Sequence, residues 1–136
     1  MLAEELAYYL QGQGLGTYDK AGLSGNIFID QLPNQPDQAI GIYHRGGAAI
    51  ELGEPFAHPA LQIIVRSVTP HEGVKLAERI IESLHGVHEQ EPLVEGGTLI
   101  ISCTALQSVP NYLGKDSNNR WEYSVNFQFE IQTDDL

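Results

Sequence analysis

The sequence predicts an α+β fold in which an antiparallel or mixed β-sheet carries two helices packed on one face. Apolar and polar residues alternate without interruption from Trp121 to Gln132, which is typical of a β-strand with one buried face. Two amphipathic helical segments lie at the start and in the second half of the chain. The remaining apolar stretches are short and locally connected, which favours antiparallel pairing. We therefore predict one domain, residues 1–136, with the element order α-β-β-β-α-β-β.

The first part of the chain is predicted to contain one helix and three strands. The apolar side chains of Leu2–Gln11 fall on one side of a helix, and the glycines that follow end it. Strands are expected at Asn26–Asp30, Ala39–Tyr43 and Leu61–Arg66, with a turn-rich connection at Gln31–Gln38 and a long Gly- and Pro-rich excursion at His44–Pro59.

The second helix has the clearest start and stop signals. Thr69 is a favourable N-cap, Pro70 suits the first helical position, and Glu72 completes a capping box with Thr69. Gly86 is the expected C-terminal stop. The apolar half of this helix is expected to cover the apolar face of the sheet.

The last part of the chain is predicted to hold two strands and a long loop. A mobile acidic link, Val87–Gly97, precedes a strand at Thr98–Leu106, and a polar loop of about 14 residues, Gln107–Arg120, leads into the last strand. Such a connection exceeds ordinary hairpin length and is often functional. The last strand, Trp121–Gln132, would span roughly 40 Å, so it is expected to reach past the core and offer its polar face to a channel or a partner.

Composition excludes several classes of function. Eighteen acidic residues face seven basic ones, for a net charge of −11, and the basic residues are scattered. Tight nucleic-acid binding needs clustered Lys and Arg, so we expect none. No apolar run reaches the ~18 residues of a membrane span, and the N-terminus lacks the basic start of a signal peptide. We expect a soluble protein made in the cytoplasm.

Three blocks of the sequence together resemble a family of tailed-phage minor capsid proteins related to tail terminator, or tail-to-head joining, proteins. Their order and spacing extend over about residues 26–131, which is most of the chain. They are Ile27–Pro33 with Pro36-Asp37 and Ala39–Tyr43; Pro59–Arg66 with Glu72-Gly73 and Ala77-Glu78; and Gln107-Ser108 with Tyr112–Asp116 and Arg120–Phe127.

The resemblance implies a virion protein that forms a ring, typically a hexamer, at the head–tail junction. The ring closes the head-proximal end of the tail tube, stops its growth and docks to the head. The implied partners are other copies of the chain, the tail tube protein and the head-connector or neck proteins. DNA passes through the ring without specific binding. The resemblance implies no catalytic residue, no cofactor and no metal.

The residues expected at the contacts follow from the last loop and strand. We expect the loop to meet a neighbouring subunit or partner through Tyr112, Leu113, Lys115, Asp116, Asn118, Asn119 and Arg120. The polar side of the last strand is expected to face the lumen or a partner through Glu122, Asn126, Gln128 and Glu130, and an ordinary solvated sheet face is the alternative.

Several groups of residues resemble chemical motifs but fit ordinary structural roles better. The glycines at 12, 14 and 16 follow a helix instead of a strand, so a helix stop is preferred to a phosphate-binding loop. Gly86 separates His85 from His88, so a solvated helix end is preferred to a metal site. Cys103 lies in an apolar run and is expected to be buried and inert.

Two further groupings were set aside for the same reason. A triad of Ser67, His71 and Asp30 lacks the surroundings of a nucleophile. Trp121, Tyr123 and Phe127 are expected in the core beneath the second helix, because no basic groove accompanies them for base stacking.

Two alternative functions remain open from the sequence. One is a head-completion or neck ring protein, which lies one layer away and is built from similarly small subunits. The other belongs to a different class: a small ligand-binding domain or hydrolase with a site near His44–His58.

Overall fold

The computed structural model describes residues 1–86 and 90–136. Its helices are α1 (Leu2–Gly12), α2 (Pro70–Leu84) and a terminal 3-10 turn (Thr133–Asp135). Its strands are β1 (Ile27–Ile29), β2 (Ala39–His44), β3 (Phe56–Ala57), β4 (Ala60–Ser67), β5 (Glu91–Pro92), β6 (Leu99–Ile100), β7 (Ser102–Ala105), β8 (Asn111–Lys115) and β9 (Trp121–Gln132).

β9 is the central strand of the main sheet. On one side it pairs with β4, and the short strand β3 continues the same antiparallel register to Gln132. On its other side it pairs with β7 and β8, again antiparallel. β2 lies beyond β4, and β1 pairs with β2 in parallel, so the sheet is mixed. β5 and β6 form a separate two-stranded hairpin.

Both helices pack on the apolar face of this sheet. α1 contacts β1 and β2, while α2 contacts β4, β7 and β9. The large side chains of Phe127 and Phe129 are fully buried between the layers. The phenol of Tyr9 on α1 donates a 2.7 Å hydrogen bond to the carbonyl oxygen of Ser83, which links the two helices. The predicted α+β class with two helices on one face of a mixed sheet is confirmed.

The predicted ends of α2 are also observed. The backbone N–H of Glu72 donates to Oγ1 of Thr69 at 3.2 Å, and Pro70 occupies the first turn. The return half of the capping box is replaced, since the N–H of Thr69 donates to Oγ of Ser67 at 3.5 Å. Gly86 has a φ of 68° and donates its N–H to the carbonyl oxygen of Cys103. A side chain is disfavoured at that φ, which explains the glycine.

Three expectations for the C-terminal part were wrong. The Gln107–Arg120 segment is not a loop throughout, because it contains β8. The single strand expected at Thr98–Leu106 is divided into β6 and β7. β9 does not reach past the core, because strands flank it on both sides along most of its length. Residues 87–89 of the expected acidic link, including His88, lie outside the described residues.

Two smaller features complete the description. The excursion at His44–Pro59 contains β3, which anchors its end to β9. Within the described ranges, no helix is both long enough and apolar enough to cross a bilayer.

Candidate subunit interface

β7, β8 and β9 form one long hairpin that is interrupted by a bulge. Between Ala105 opposite Phe127 and Asn111 opposite Ser124, residues 106–110 face only two residues of β9. We call residues 106–110 the bulge. The side chain of Gln107 fills the gap in the ladder: its Nε2 donates to the carbonyl oxygen of Ser124 at 2.8 Å, and its Oε1 accepts from the backbone N–H of Asn126 at 3.0 Å. The bulge is therefore held in place.

The turn between β8 and β9 is organised by Asp116. Its carboxylate accepts from the backbone N–H groups of Asn118 and Arg120, both at 2.9 Å. The guanidinium of Arg120 adds a 2.8 Å contact from Nε. The N–H of Arg120 and the other bonds to this carboxylate hold the pKa of Asp116 below its ordinary value. Asn119 has a φ of 59°, which asparagine tolerates better than most residues.

Arg120 is placed inside the chain instead of on its surface. The residue is only 5% exposed. Its guanidinium donates to the carbonyl oxygen and the side chain of Asn34 and lies 3.2 Å from a carboxylate oxygen of Asp37. Arg66 binds the same segment through the carbonyl oxygens of Pro33, Pro36 and Asp37. The two arginines fix segment 31–38 against the polar side of the sheet. Arg120 thereby links this segment to Asp116 in the turn between β8 and β9.

The other residues expected in the interface lie at the surface or close to it. Tyr112 is 53% and Leu113 46% exposed, and Tyr112 contacts the ring of Tyr123. Lys115 is exposed, with its ammonium 4.3 Å from the ring centre of Trp121. Asn119 and Asn118 are exposed, although Asn118 also donates to Asn34, and Asp116 is half-buried.

The polar side of β9 divides into two halves. Glu122 lies at the covered end, near segment 31–38, where burial first and the charge of Asp116 second raise its pKa. Asn126, Gln128 and Glu130 are half-buried and follow at the uncovered end. There Asn126 is bonded to Gln107, and Glu130 lies 4.0 Å from Nε2 of His58.

A second surface lies at the Gln132 end of β9, away from the turn between β8 and β9. Residues 44–55, which we call the arm, are all exposed. The arm is anchored at both ends: the N–H of Ala48 donates to the carbonyl oxygen of His58, and the N–H of Thr133 donates to that of Pro55. Its tip carries Ile50, 51% exposed, and Leu52, fully exposed.

Sequence reasoning singled out Tyr112 and Leu113 but not the other exposed apolar residues of these surfaces. Besides the arm tip, they include Leu106 and Val109 in the bulge, which are 56% and 63% exposed. The available signal was the presence of isolated apolar residues within polar, Gly- and Pro-containing segments.

The motifs set aside in the sequence have ordinary surroundings. Ser67 is fully buried, and Asp30 is paired with His44, whose Nδ1 lies 2.7 Å from the carboxylate. Nδ1 of His85 accepts from the N–H of Ala105. Burial raises the pKa of Cys103 to about 12, as expected for an inert thiol. Within residues 1–86 and 90–136, no three His, Cys, Asp or Glu side chains are grouped as a metal site.

Tyr123 and Phe127 are buried in the core, as predicted, while Trp121 is half-buried against it. These aromatic side chains therefore contribute to the packing beneath α2.

Comparison with known proteins identifies the class. The model of a family described as bacteriophage tail terminator protein matches residues 9–133. The chain therefore belongs to the bacteriophage tail terminator family and is a structural protein of a phage tail. The comparison with curated proteins finds no match.

The fold is similar to that of a chain in the virion of a native gene transfer agent (GTA) particle. The TM-score is 0.62 and the sequence identity 14%, with 94% of this chain and 93% of that chain covered. At this identity the similarity concerns the fold.

Proposed function

We propose that this chain forms a closed ring, a homo-hexamer, on the head-proximal end of the tail tube. The ring ends tube growth and joins tail to head at the head–tail junction. Its partners are the tail tube protein on one side and the head-connector or neck proteins on the other. The observation that carries the proposal is the family match over residues 9–133.

The geometry supports a ring because the chain presents two unlike free surfaces. A ring requires a heterologous contact, in which two different patches of one subunit meet on its neighbours. The β8 edge leaves one side of the sheet open at Lys115 opposite Trp121, while the arm ends where Phe56 pairs with Gln132. These two places lie at opposite ends of β9, roughly 35 Å apart along the strand.

The other edge of the sheet is less available for a neighbour. The free side of β1 is partly covered, because Tyr18 forms a parallel bridge to Ile27 there. An uncovered strand edge such as β8 is a template for pairing with another chain.

The lumen is assigned to the uncovered half of the polar face. Gln62 and Asn126 are paired on this side of the sheet, and Gln128 and Glu130 follow on β9. Amide groups with few cations offer DNA no tight binding, which suits a conduit.

Tube assembly in the presence of the chain tests the function. Purified tail tube protein is polymerised with and without this protein, and tube lengths are measured by electron microscopy. We expect shorter tubes with a ring at one end, and a hexamer in native mass spectrometry. Tubes that grow unchanged while the ring binds purified neck protein would instead support the neck alternative.

A paired substitution tests the role of the β8 edge. Tyr112→Ser combined with Leu113→Ser is expected to lower ring formation. The circular dichroism spectrum of the double variant is expected to remain that of the folded wild-type protein. Leu23→Ser is the matched control, since Leu23 is 88% exposed and belongs to neither surface. Equal ring formation by the two variants would remove β8 from the interface.

A further inference from the structure

We propose that the subunits of the ring are joined by the arm of one copy, whose Leu52 packs onto the bulge of the next copy at Val109 and Pro110. This inference rests on the proposed ring and names the two surfaces that meet in it.

The tip of the arm is a preformed apolar projection. The N–H of Glu54 donates to the carbonyl oxygen of Glu51 at 3.1 Å, closing a four-residue turn with Leu52 and Gly53 at its corners. Gly53 has a φ of 81°, the conformation that the third position of a type II turn requires. Leu52 is thereby held fully in solvent. Because the turn is already ordered, little conformational entropy remains to be lost when Leu52 is buried by a partner.

The base of the arm is fixed as well. Gly47 has a φ of 95°, and a Cβ at this position would overlap the carbonyl oxygen of His58. The glycine therefore allows the arm to leave the sheet close against the backbone of the returning strand. With Ala48 and Pro55 also bonded, only the six residues 49–54 project.

The bulge borders a surface depression that could receive the side chain of Leu52, and we call this depression the seat. It has a volume of about 410 Å³ and is lined by Gln107, Ser108, Val109, Pro110, Asn111 and Asn126. Val109, one of the lining residues, and Leu106, which lies close by in the chain, are exposed apolar side chains. The bonds of Gln107 to β9 hold this seat in shape.

Charge also favours contact between the arm and the bulge. Beyond its base, where Arg45 is bonded to Gln62, the arm carries two acidic residues, Glu51 and Glu54, and no basic one. Residues 106–115 carry no acidic residue and one lysine, Lys115, in a chain whose net charge is −11. The next acid, Asp116, is bound by Arg120. The strip from 106 to 115 is therefore a place where the acidic arm of a second copy is not repelled.

Cysteine cross-linking tests the contact directly. The variants Leu52→Cys and Val109→Cys are purified separately and mixed under mild oxidation. We expect a disulfide-linked dimer only in the mixture, since the native Cys103 is buried. A chain with both substitutions is expected to give a ladder that ends at the number of subunits in the ring. Leu23→Cys mixed with Val109→Cys is the control and is expected to give no product.

A serine substitution measures the energetic role of the arm. Leu52→Ser is expected to weaken association at each interface roughly 30-fold, the effect of truncating a buried apolar anchor. Leu23→Ser, the same substitution at an exposed leucine outside both surfaces, is expected to have no effect. Sedimentation velocity over a concentration series gives both values.

The outcomes separate this contact from the ring itself. If the wild-type ring forms but Leu52→Ser behaves like Leu23→Ser and no cross-link appears, the arm contact is wrong and the ring stands. If the wild-type chain stays monomeric in solution and on tube ends, the ring and the contact are both wrong.

Discussion

Arg120 connects the tip of the hairpin to segment 31–38. Its guanidinium reaches Asp116, Asn34 and Asp37, and it is almost completely buried. A buried charge is tolerated when its hydrogen bonds are satisfied, and removing one partner leaves the others unpaired. The surface of the hairpin thus depends on a residue that does not itself reach the surface.

Replacement of Arg120 is expected to be strongly destabilising. Arg120→Ala should lower the free energy of unfolding by about 2–3 kcal/mol, because the acceptors on Asp116 and Asn34 lose their donor. Urea denaturation followed by tryptophan fluorescence measures this. Arg79→Ala on the exposed side of α2 is the control and should change stability by less than about 0.5 kcal/mol. Similar values for both variants would contradict the network.

Glu122 is expected to make stability depend on pH. Burial raises its pKa above the ordinary value of 4.5, so the folded chain holds this proton more tightly than the unfolded chain. The contribution of Glu122 to stability is therefore complete below the ordinary pKa and is lost as pH rises through the raised one. Glu122→Gln should be more stable than wild type at pH 7, with the difference vanishing below about pH 4.

Denaturation midpoints at several pH values test this expectation. Asp116 should show a pH dependence of stability with the opposite sign, because its pKa is lowered in the folded chain. The stabilisation that Asp116 provides is present above its ordinary pKa of 3.8 and is lost as pH falls. Asp116→Asn should reduce stability at pH 7. A Glu122→Gln difference that is constant across pH would show that the substitution acts through packing.

At the scale of elements, the strand β8 could not be predicted from its own residues. Its residues, Asn111–Lys115, are exposed at a sheet edge and include Gly114, and Pro110 precedes them. None of these favours a strand locally. β8 forms because β9 offers it a partner, and the mismatch with β7 is absorbed by the five residues of the bulge.

Gln107 is expected to be the residue that holds the bulge to β9. Gln107→Ala leaves the carbonyl oxygen of Ser124 and the N–H of Asn126 without this partner and should cost about 1–2 kcal/mol. Hydrogen exchange at the N–H of Asn126 should accelerate at the same time. Ser108→Ala, at an exposed neighbouring position, is the control and should leave both quantities unchanged.

At the scale of the whole molecule, the net charge of −11 constrains how the proposed ring would interact with DNA. Binding to DNA derives most of its free energy from cations that replace counterions along the phosphates, and here acids outnumber bases by more than two to one. An assembled ring would repeat this excess in every subunit. DNA in its lumen would therefore be surrounded by a negative field.

The expected result is that duplex DNA does not bind. Fluorescence anisotropy of a labelled duplex at about 50 mM salt should show no saturable change as the protein is added, since low salt favours any electrostatic binding. A basic protein of similar size serves as the positive control. A binding curve that weakens with salt would contradict the assignment of a passive conduit.

The sequence by itself determined the elements whose signals are local or strictly periodic. β9 followed from its two-residue alternation, and α2 followed from Thr69, Pro70 and Gly86, because capping and periodicity act within a few residues. These features need no knowledge of distant contacts.

Only the tertiary structure decided the remainder. Arg120 was expected at the surface and is buried, because its partners Asn34 and Asp37 are more than 80 residues away in the chain. β8 exists only beside β9, and the polar side of β9 is partly covered by a segment fixed by Arg66. Hydrogen bonds between distant parts of the chain place these residues, and no local pattern encodes such partners.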